Sequence, residues 1–240
     1  MPAEAGVITP KSTTTTTEPQ QIAFSGEIIR KMIHLGSLSI PVIYYYVTRE
    51  TALWIIIPIG VVSFIVDMGR HYVKGIEKFV GKIFDPILRP HERKSGLLSG
   101  ATYVVVSALF CILFFPKLIT ITAFSILIVS DASSALIGRA YGKHKFFDKS
   151  LEGSAAFVVT AWLVVLITPK AGPIWQEYAI AAFAAVLGAI AEAASARTRL
   201  DDNFSVPLSV GFSMWGLYYV LSVWQPDRFA ALYQAMLRFS

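Results

Sequence analysis

The composition of this chain excludes an ordinary soluble domain. Of its 240 residues, 55% are hydrophobic and only 15% are charged, and the mean hydropathy is +0.58, which exceeds what a soluble core of this size requires. The single cysteine, Cys111, excludes an internal disulfide and a cysteine metal cluster. The net charge of +5 reflects mostly the basic residues expected in the cytoplasmic loops of a membrane protein, and it does not indicate nucleic-acid binding.

The chain begins with a polar segment and continues with apolar stretches. Residues 1–23, with the run "STTTTTEPQQ", have no apolar periodicity and are predicted to form a disordered tail. Spanning about 30 Å of hydrocarbon takes roughly 20 apolar helical residues. Seven stretches approach this length, and we predict an all-α, polytopic membrane bundle with spans at 32–47, 52–66, 97–115, 118–137, 154–168, 178–196 and 206–224.

The ends of the chain frame a membrane-embedded domain. We predict that residues 24–225 form this catalytic domain and that the amphipathic C-terminal tail, 226–240, with "DRFAALYQAMLRFS", lies along the outer interface. The positive-inside rule gives the orientation. The segments on the side of the N-terminus hold 16 of the 21 basic residues, and the other side holds only Arg49, Lys117, Lys170, Arg228 and Arg238. The N-terminus and the long polar loops are therefore predicted to be cytoplasmic, in a bacterial inner membrane.

The segment "SDASSALIGRAYGKHKFFDKSLEGSAAF" (130–157) interrupts this apolar pattern. Asp131 falls within the fourth predicted span, where an uncompensated aspartate costs roughly 2.5 to 3.5 kcal/mol. It therefore indicates either a polar cavity or a paired structural carboxylate. The structural alternative is close helix packing through the small neighbouring residues, with Asp131 paired to Arg139.

The loop that follows Asp131 has the composition of a phosphate site. Gly138 and Gly142 would let backbone amides approach a ligand, and Ser150, Glu152 and Gly153 open the fifth predicted helix, whose N-terminus favours an anion. Cations, amides and a nearby carboxylate suit a phosphate chain with a divalent metal. The alternative is a basic loop lying on anionic headgroups. The cations of the loop are Arg139, Lys143, Lys145 and Lys149.

More ionisable residues are predicted at the same side of the membrane. Helical spacing places Arg30, Lys31 and His34 on one face, although a lone helix histidine is more often a structural partner. Glu192 is a second intramembrane carboxylate, with Arg197 or Arg199 as alternative structural partners. Asp201, Asp202 and Asn203 could bind a ligand or could cap the seventh helix. In "RPHERKSGLLSGATY", Arg93, Lys94, Ser95, Gly96, Ser99 and Gly100 again join basic residues to a helix N-terminus.

Four segments resemble one enzyme family. "RKMIHL", "SGLLSGATY", the 130–157 segment and "EAASARTRLDDNFSVPL" are similar, in this order, to the CTP-dependent lipid kinases, which include dolichol kinase, phytol kinase and yeast-type diacylglycerol kinase. The resemblance covers about residues 27–207 and implies transfer of the γ-phosphate of CTP to a membrane lipid alcohol. By resemblance, the nucleotide site comprises Asp131, Gly138, Arg139, Gly142, Lys143, Lys149, Glu152 and Gly153, completed by Arg30, Lys31, His34, Glu192, Asp202 and Asn203.

These residues define the expected mechanism. CTP and Mg²⁺ are expected at the cytoplasmic mouth, with Asp131 and one of Glu192, Asp201 or Asp202 holding the metal. Arg139, Lys143 and Lys149 would stabilise the triphosphate and the transferring phosphoryl group. His34 or a carboxylate could accept the proton of the lipid hydroxyl. The predicted helix that begins at Ser150 would also offer its N-terminal backbone N–H groups to the phosphates.

Two other functions fit parts of the pattern. Phosphatidate cytidylyltransferase shares a GR-x-x-GK then K-x-x-EG arrangement, but its usual downstream DR-x-D ending is replaced here by "RTRLDDN". A non-enzymatic transporter or lipid-binding protein is the third hypothesis. Transporters with midplane sites tend to show internal repeats, and this sequence shows no such repeat.

Overall fold

A computed structural model describes residues 24–72, 98–198 and 200–239. The tail predicted over residues 1–23 and the basic segment containing Arg93, Lys94, Ser95 and Gly96 lie outside the described residues. The described part is mostly helical and contains one short hairpin. The helices are α1 (Phe24–Gly36), α2 (Ser39–Tyr46), α3 (Arg49–Tyr72), α4 (Gly100–Phe114), α5 (Lys117–Tyr141), α6 (Leu151–Ile167), α7 (Trp175–Ala193), α8 (Ser195–Thr198), α9 (Asp202–Trp224) and α10 (Pro226–Arg238).

Within the described residues, each of the seven predicted apolar stretches is largely helical. In the part of the chain that the structure describes, four helices, α3, α5, α7 and α9, are long and apolar enough to cross a membrane. Two others, α4 and α6, are apolar but shorter. Seven crossings and a cytoplasmic N-terminus stay predictions.

The first predicted stretch is divided between two helices. Pro41 has no N–H to donate to the carbonyl of Ser37, four residues earlier. That carbonyl instead accepts from the backbone N–H of Ile40 at 2.9 Å. The helical ladder is therefore broken at residues 37–38, a local effect that hydropathy alone does not register.

Helix α5 forms the centre of the bundle. It packs against α1, α2, α4, α6, α7 and α9, and its first half is fully buried, with Leu118, Ile119, Ile126, Leu127 and Ile128 each 0% exposed. Helix α3 is instead mostly exposed, since only 17% of the residues in its most apolar stretch are buried. An apolar helix that is buried on few sides is suited to a lipid environment.

The C-terminal turn of α5 is joined to α6 by a short antiparallel hairpin of β1 (Lys145–Phe146) and β2 (Lys149–Ser150). Here α5 and α6 come very close, because a Cβ added to Gly153 would meet the carbonyl oxygen of Ser134 at 3.0 Å and the Cα of Gly138 at 3.1 Å. A Cβ on Gly142 would meet the carbonyl oxygen of Gly138 at 2.2 Å. The glycines predicted to admit a ligand thus also permit this helix contact.

The opposite end of the bundle is held by a buried carboxylate. Glu177, in the first turn of α7, is 0% exposed and accepts from the backbone N–H groups of Ala171 at 2.7 Å and Gly172 at 2.5 Å. It also accepts from the hydroxyl of Tyr218 on α9 at 2.7 Å. The amphipathic C-terminal segment forms α10, which packs on α9 and buries Phe229, Leu232 and Met236. Its position along the outer interface stays a prediction.

Candidate functional site

Asp131 lies where α1 meets the centre of α5. Its side chain is 4% exposed, and its Oδ2 pairs with the ammonium of Lys31, whose side chain is equally buried. The Nε2 of His34 lies 3.4 Å from the same oxygen. Lys31 and His34 are three residues apart and therefore share one face of α1. The partner of Asp131 is thus supplied by a different helix, 100 residues earlier in the chain.

A second buried carboxylate lies beside it on α7. Glu192 is 0% exposed and accepts from Lys149, the last basic residue of the loop, through Oε1. The hydroxyl of Ser134 on α5 also donates to this oxygen at 3.1 Å. Arg197, one of its predicted structural partners, pairs instead with Asp148 at 3.5 Å, while Arg199 lies outside the described residues.

Lys149 connects these carboxylates electrostatically. Its Nζ lies 3.4 Å from Oδ2 of Asp202 at the start of α9. Burial lowers the pKa of Lys149, but the carboxylates of Asp202, Glu192 and Asp131 outweigh burial and raise the pKa above its ordinary value. Lys149 therefore carries its positive charge throughout the neutral range, as a phosphate-stabilising residue requires.

The loop amides are held by a carboxylate. Glu152 accepts from the backbone N–H of Lys143 at 3.1 Å and from the Nδ1 position of His144 at 2.7 Å. Hydrogen bonds from its own backbone N–H, the His144 side chain and the Lys143 N–H lower the pKa of Glu152 to about 2. The Glu152 carboxylate thus already accepts from backbone N–H groups of the loop that was predicted to bind phosphate.

The N-termini of α6 and α9 are capped by their own residues. Ser150 accepts from the backbone N–H of Gly153 at 3.1 Å, and Asp201 accepts from the backbone N–H of Asn203 at 3.0 Å and from its side-chain amide at 2.7 Å. The capping alternative for Asp201 is therefore realised in the structure. Arg139 and Lys143, in contrast, are exposed beside the loop.

A cavity of about 310 Å³ opens next to Asp131. It is bounded by α1, α3, the starts of α4 and α9, and Asp131 of α5. Its polar lining includes Arg30, Lys31, His34, Asp67, Arg70, Asp131, Asp202 and Asn203, and its apolar lining includes Ile33, Val62, Val66 and Val104. Six predicted site residues therefore share this cavity: Arg30, Lys31, His34, Asp131, Asp202 and Asn203. The other predicted residues do not line it: Gly138, Arg139, Gly142, Lys143, Lys149, Ser150, Glu152, Gly153, Glu192 and Asp201.

Asp67 and Arg70 are lining residues that the sequence analysis did not select. Asp67 is 4% exposed and accepts from the backbone N–H and hydroxyl of Ser99 at 2.7 and 2.9 Å, which fixes the start of α4. The Nε of Arg70 lies 3.5 Å from Asp67. The sequence signal that could have identified them is an aspartate and an arginine three residues apart at the end of an apolar stretch.

The carboxylates retain oxygen atoms suitable for a cation. Oδ1 of Asp131 and Oε2 of Glu192 are buried and have no hydrogen-bond partner among the described residues. No group of three or more His, Cys, Asp or Glu side chains in the described ranges is arranged to hold a metal by itself. Mg²⁺ is typically bound by one or two carboxylates together with phosphate oxygens and water, so this donor set fits a metal that arrives with a nucleotide.

Three proteins show sequence similarity to this chain. An uncharacterized protein of Rickettsia prowazekii is 29% identical over 199 residues, covering 82% of this chain and 98% of that protein. An uncharacterized protein of Methanocaldococcus jannaschii is 28% identical over 189 residues, covering 78% and 91%. CTP-dependent diacylglycerol kinase 1 of Saccharomyces cerevisiae is 27% identical over 206 residues, covering 76% of this chain and 70% of that enzyme.

The match to the yeast enzyme is a distant similarity to a lipid kinase. No family model matches the chain, and no solved structure matches it. The reaction and the acceptor are therefore inferred from the site.

Proposed function

We propose that this protein is a CTP-dependent kinase that transfers the γ-phosphate of CTP to the hydroxyl of a membrane lipid alcohol. The observation that carries this function is the convergence of two charge pairs, Lys31–Asp131 and Lys149–Glu192, from four segments of the chain. Lys31 and Asp131 line the cavity, and the charge of Asp131 acts on Lys149. Buried ionisable groups in a membrane bundle are costly unless paired, and they commonly mark functional sites. The distant similarity to a CTP-dependent diacylglycerol kinase supports the same reaction.

The lysines and arginines of the site would bind the triphosphate. Lys149 is held in place by Glu192 and Asp202, whereas Arg139 and Lys143 are exposed. This arrangement provides one preorganised cation for the transferring phosphoryl group and adaptable cations for the rest of the nucleotide. Glu152 would keep the loop ordered through its contacts with Lys143 and His144.

Mg²⁺ would be held by Asp131 and Glu192 through their unpartnered oxygens, and it would neutralise charge on the phosphates when bound. The lysines that pair with these carboxylates could then contact phosphate oxygens. Asp202 would continue to position Lys149, and Asp201 would continue to cap α9.

The acceptor oxygen would attack the γ-phosphorus, forming an O–P bond while the bond between that phosphorus and the bridging oxygen breaks. CDP leaves with the bridging oxygen. His34 lies 3.4 Å from Asp131 and lines the cavity, so its imidazole could take the proton of the hydroxyl. Phosphoryl transfer depends mainly on positioning and charge, and proton acceptance is therefore the smaller contribution.

One labelling experiment tests this function. Purified full-length protein is incubated with γ-labelled or α-labelled CTP, Mg²⁺ and a panel of polyprenols, phytol, diacylglycerol and phosphatidate. The kinase should place the γ-label in an alcohol and release CDP. Transfer of the α-label to phosphatidate with release of pyrophosphate would identify a cytidylyltransferase instead, and no transfer to any lipid would contradict both enzymatic functions.

A further inference from the structure

Lys117 is a buried cation at the end of the bundle opposite Asp131. It is the first residue of α5, and only 7% of its surface is exposed. Its Nζ lies 5.6 Å from the centre of the Tyr44 ring on α2. Among the described residues, no carboxylate pairs with Lys117 and no oxygen accepts a hydrogen bond from its ammonium. A buried charge normally has such a partner, because desolvation of an unpaired ion is costly.

Lys170, at the same end of the bundle, shows how a lysine of this fold is satisfied. It also lies over a tyrosine ring, 4.7 Å from the centre of Tyr178, and its ammonium donates to the carbonyl oxygens of Val165 and Thr168 at 2.6 Å each. These carbonyls lie at the C-terminal end of α6, where the helix dipole favours a cation. Lys117 begins its helix instead, so its charge adds to the positive end of the α5 dipole.

Tyr44 adds a second polar group without a partner. It is 2% exposed, and its buried hydroxyl has no hydrogen-bond partner among the described residues, although a buried tyrosine hydroxyl usually finds one. The charge of Arg49, at the start of α3, acts on Tyr44. Arg49 donates to the carbonyl oxygen of Leu113, and the other N–H groups of its guanidinium have no acceptor in the described structure.

The backbone at this place also favours an anion. Pro116, which precedes α5, supplies no side-chain cap, and the first turn of α5 contains no acidic residue. The N–H groups of that turn therefore have no side-chain acceptor, as in helix N-termini that bind anions. Glu50, in the first turn of α3, is exposed and forms no ion pair with the described residues. The nearby acid thus does not neutralise Lys117 or Arg49.

Exposed aromatic residues indicate that this cluster lies at the level of lipid headgroups. Tyr45, Tyr46 and Trp54 are 46%, 80% and 76% exposed, and Tyr and Trp are enriched where hydrocarbon meets water. The phosphates of membrane lipids lie in this interfacial region. A phosphate group has several oxygen atoms, so it can accept from two cations and a hydroxyl at once.

We infer that Lys117, Arg49 and Tyr44, together with the first turn of α5, form a binding site for a phosphate group that is carried by a lipid headgroup or free in solution. The phosphate oxygens accept from the Lys117 ammonium, the Arg49 guanidinium and the Tyr44 hydroxyl. Binding there joins α2, α3 and α5 at one end of the bundle. The site lies at the other end of α5 from Asp131, so it does not depend on the kinase reaction proposed above.

Thermal unfolding of the full-length protein in a non-ionic detergent measures this binding without turnover. The protein is titrated with phosphatidylglycerol, with inorganic phosphate, or with sodium chloride at matched ionic strength. A bound phosphate should raise the unfolding midpoint in a saturable way, whereas chloride should not. A response to phosphatidylglycerol alone identifies a lipid headgroup, and a response to inorganic phosphate shows that free phosphate suffices. The absence of a saturable response to either would overturn the site.

Matched substitutions assign the response to these residues. Lys117→Gln should raise the apparent Kd about tenfold, and Tyr44→Phe about threefold, as expected for losing a charge-assisted hydrogen bond. Arg228→Gln is the control, because it removes the same charge from an exposed side chain at the same end of the bundle that has no ion pair among the described residues. Equal losses in Lys117→Gln and Arg228→Gln would attribute the response to general surface charge and overturn the site.

Tyr44→Phe keeps the ring and so provides a test even if Lys117→Gln does not fold. Without ligand this variant should unfold at or above the wild-type midpoint, because it removes a buried hydroxyl that has no partner in the described structure. Its ligand-induced rise in midpoint should be smaller than that of the wild type. A lower midpoint without ligand, or an undiminished rise with ligand, would contradict the role of Tyr44 in the site.

Discussion

Asp131 shows how a single intramembrane carboxylate can be interpreted at the scale of residues. Its position in an apolar stretch predicted a paired or ligand-binding acid, and its side chain proves to be buried with Lys31 and His34. The identity of these partners was not predictable, because Lys31 is distant in sequence and α1 reaches α5 only through tertiary packing. Topology places these residues at the same side of the membrane, but only the resemblance to a family brings them into one site.

Replacing Asp131 by asparagine separates the metal-binding role from a packing role. Asp131→Asn should lower kcat at least about 100-fold at saturating CTP, because a neutral amide is a poorer Mg²⁺ ligand and a weaker partner for Lys31. Turnover is measured together with the midpoint of thermal unfolding in detergent. Near-normal turnover in a well-folded variant would assign Asp131 to structure alone.

The Lys149–Glu192 pair can be examined by a double-mutant cycle. Lys149→Met should slow turnover and lower the unfolding midpoint, because it leaves the fully buried Glu192 without its cation. Adding Glu192→Gln should recover stability but not activity, and the non-additivity measures the coupling. Additive stability effects would contradict a direct pair.

The raised pKa of Lys149 has a defined consequence for the pH dependence of stability. A cation whose pKa is raised by folding contributes stability that is fully present below its unfolded pKa of about 10.4 and is lost as pH rises through the folded pKa. Wild-type and Lys149→Arg unfolding midpoints should therefore run parallel between pH 6 and 9. A Lys149-dependent loss of stability within that range would contradict the charge network.

At the scale of elements, hydropathy predicted where helices occur better than where they end. All seven stretches are helical, but α3 extends to Tyr72 and α5 to Tyr141, beyond the apolar residues. The end of α3 carries Asp67 and Arg70, which line the cavity, so hydropathy undercounts helix there. The break before Pro41 and the hairpin at 145–150 depend on local backbone geometry, to which a hydropathy window is insensitive.

The contact between α5 and α6 predicts a selective effect of adding one methyl group. Gly153→Ala should lower the unfolding midpoint, consistent with an overpacking cost of about 1–3 kcal/mol, because its Cβ would meet Ser134 and Gly138 backbone atoms at 3.0 and 3.1 Å. Gly216→Ala is the control, since nothing lies within 4 Å of its added Cβ and alanine favours helix. Comparable losses in both variants would argue against close packing at Gly153.

At the scale of the whole molecule, the distribution of basic residues predicts a single orientation. In a Cys111→Ser background, a cysteine at Lys145 should be protected from an impermeant thiol reagent added outside intact cells, whereas a cysteine at Lys170 should react. Permeabilised cells provide the accessibility control, because both cysteines should then be labelled. External labelling of position 145 would place the candidate site on the opposite face of the membrane.

Helix α7 carries a buried glutamate near each end, and the two differ in whether all their oxygens accept hydrogen bonds. Glu177 has three well-formed donors, whereas Glu192 retains a buried oxygen without a partner in the described structure. Glu177 therefore stabilises the fold, whereas Glu192 keeps a buried oxygen that a bound cation could contact. Hydrogen exchange should therefore slow on addition of Mg²⁺ and CTP chiefly near residue 192, while the amides near residue 177 serve as an internal standard that remains unchanged.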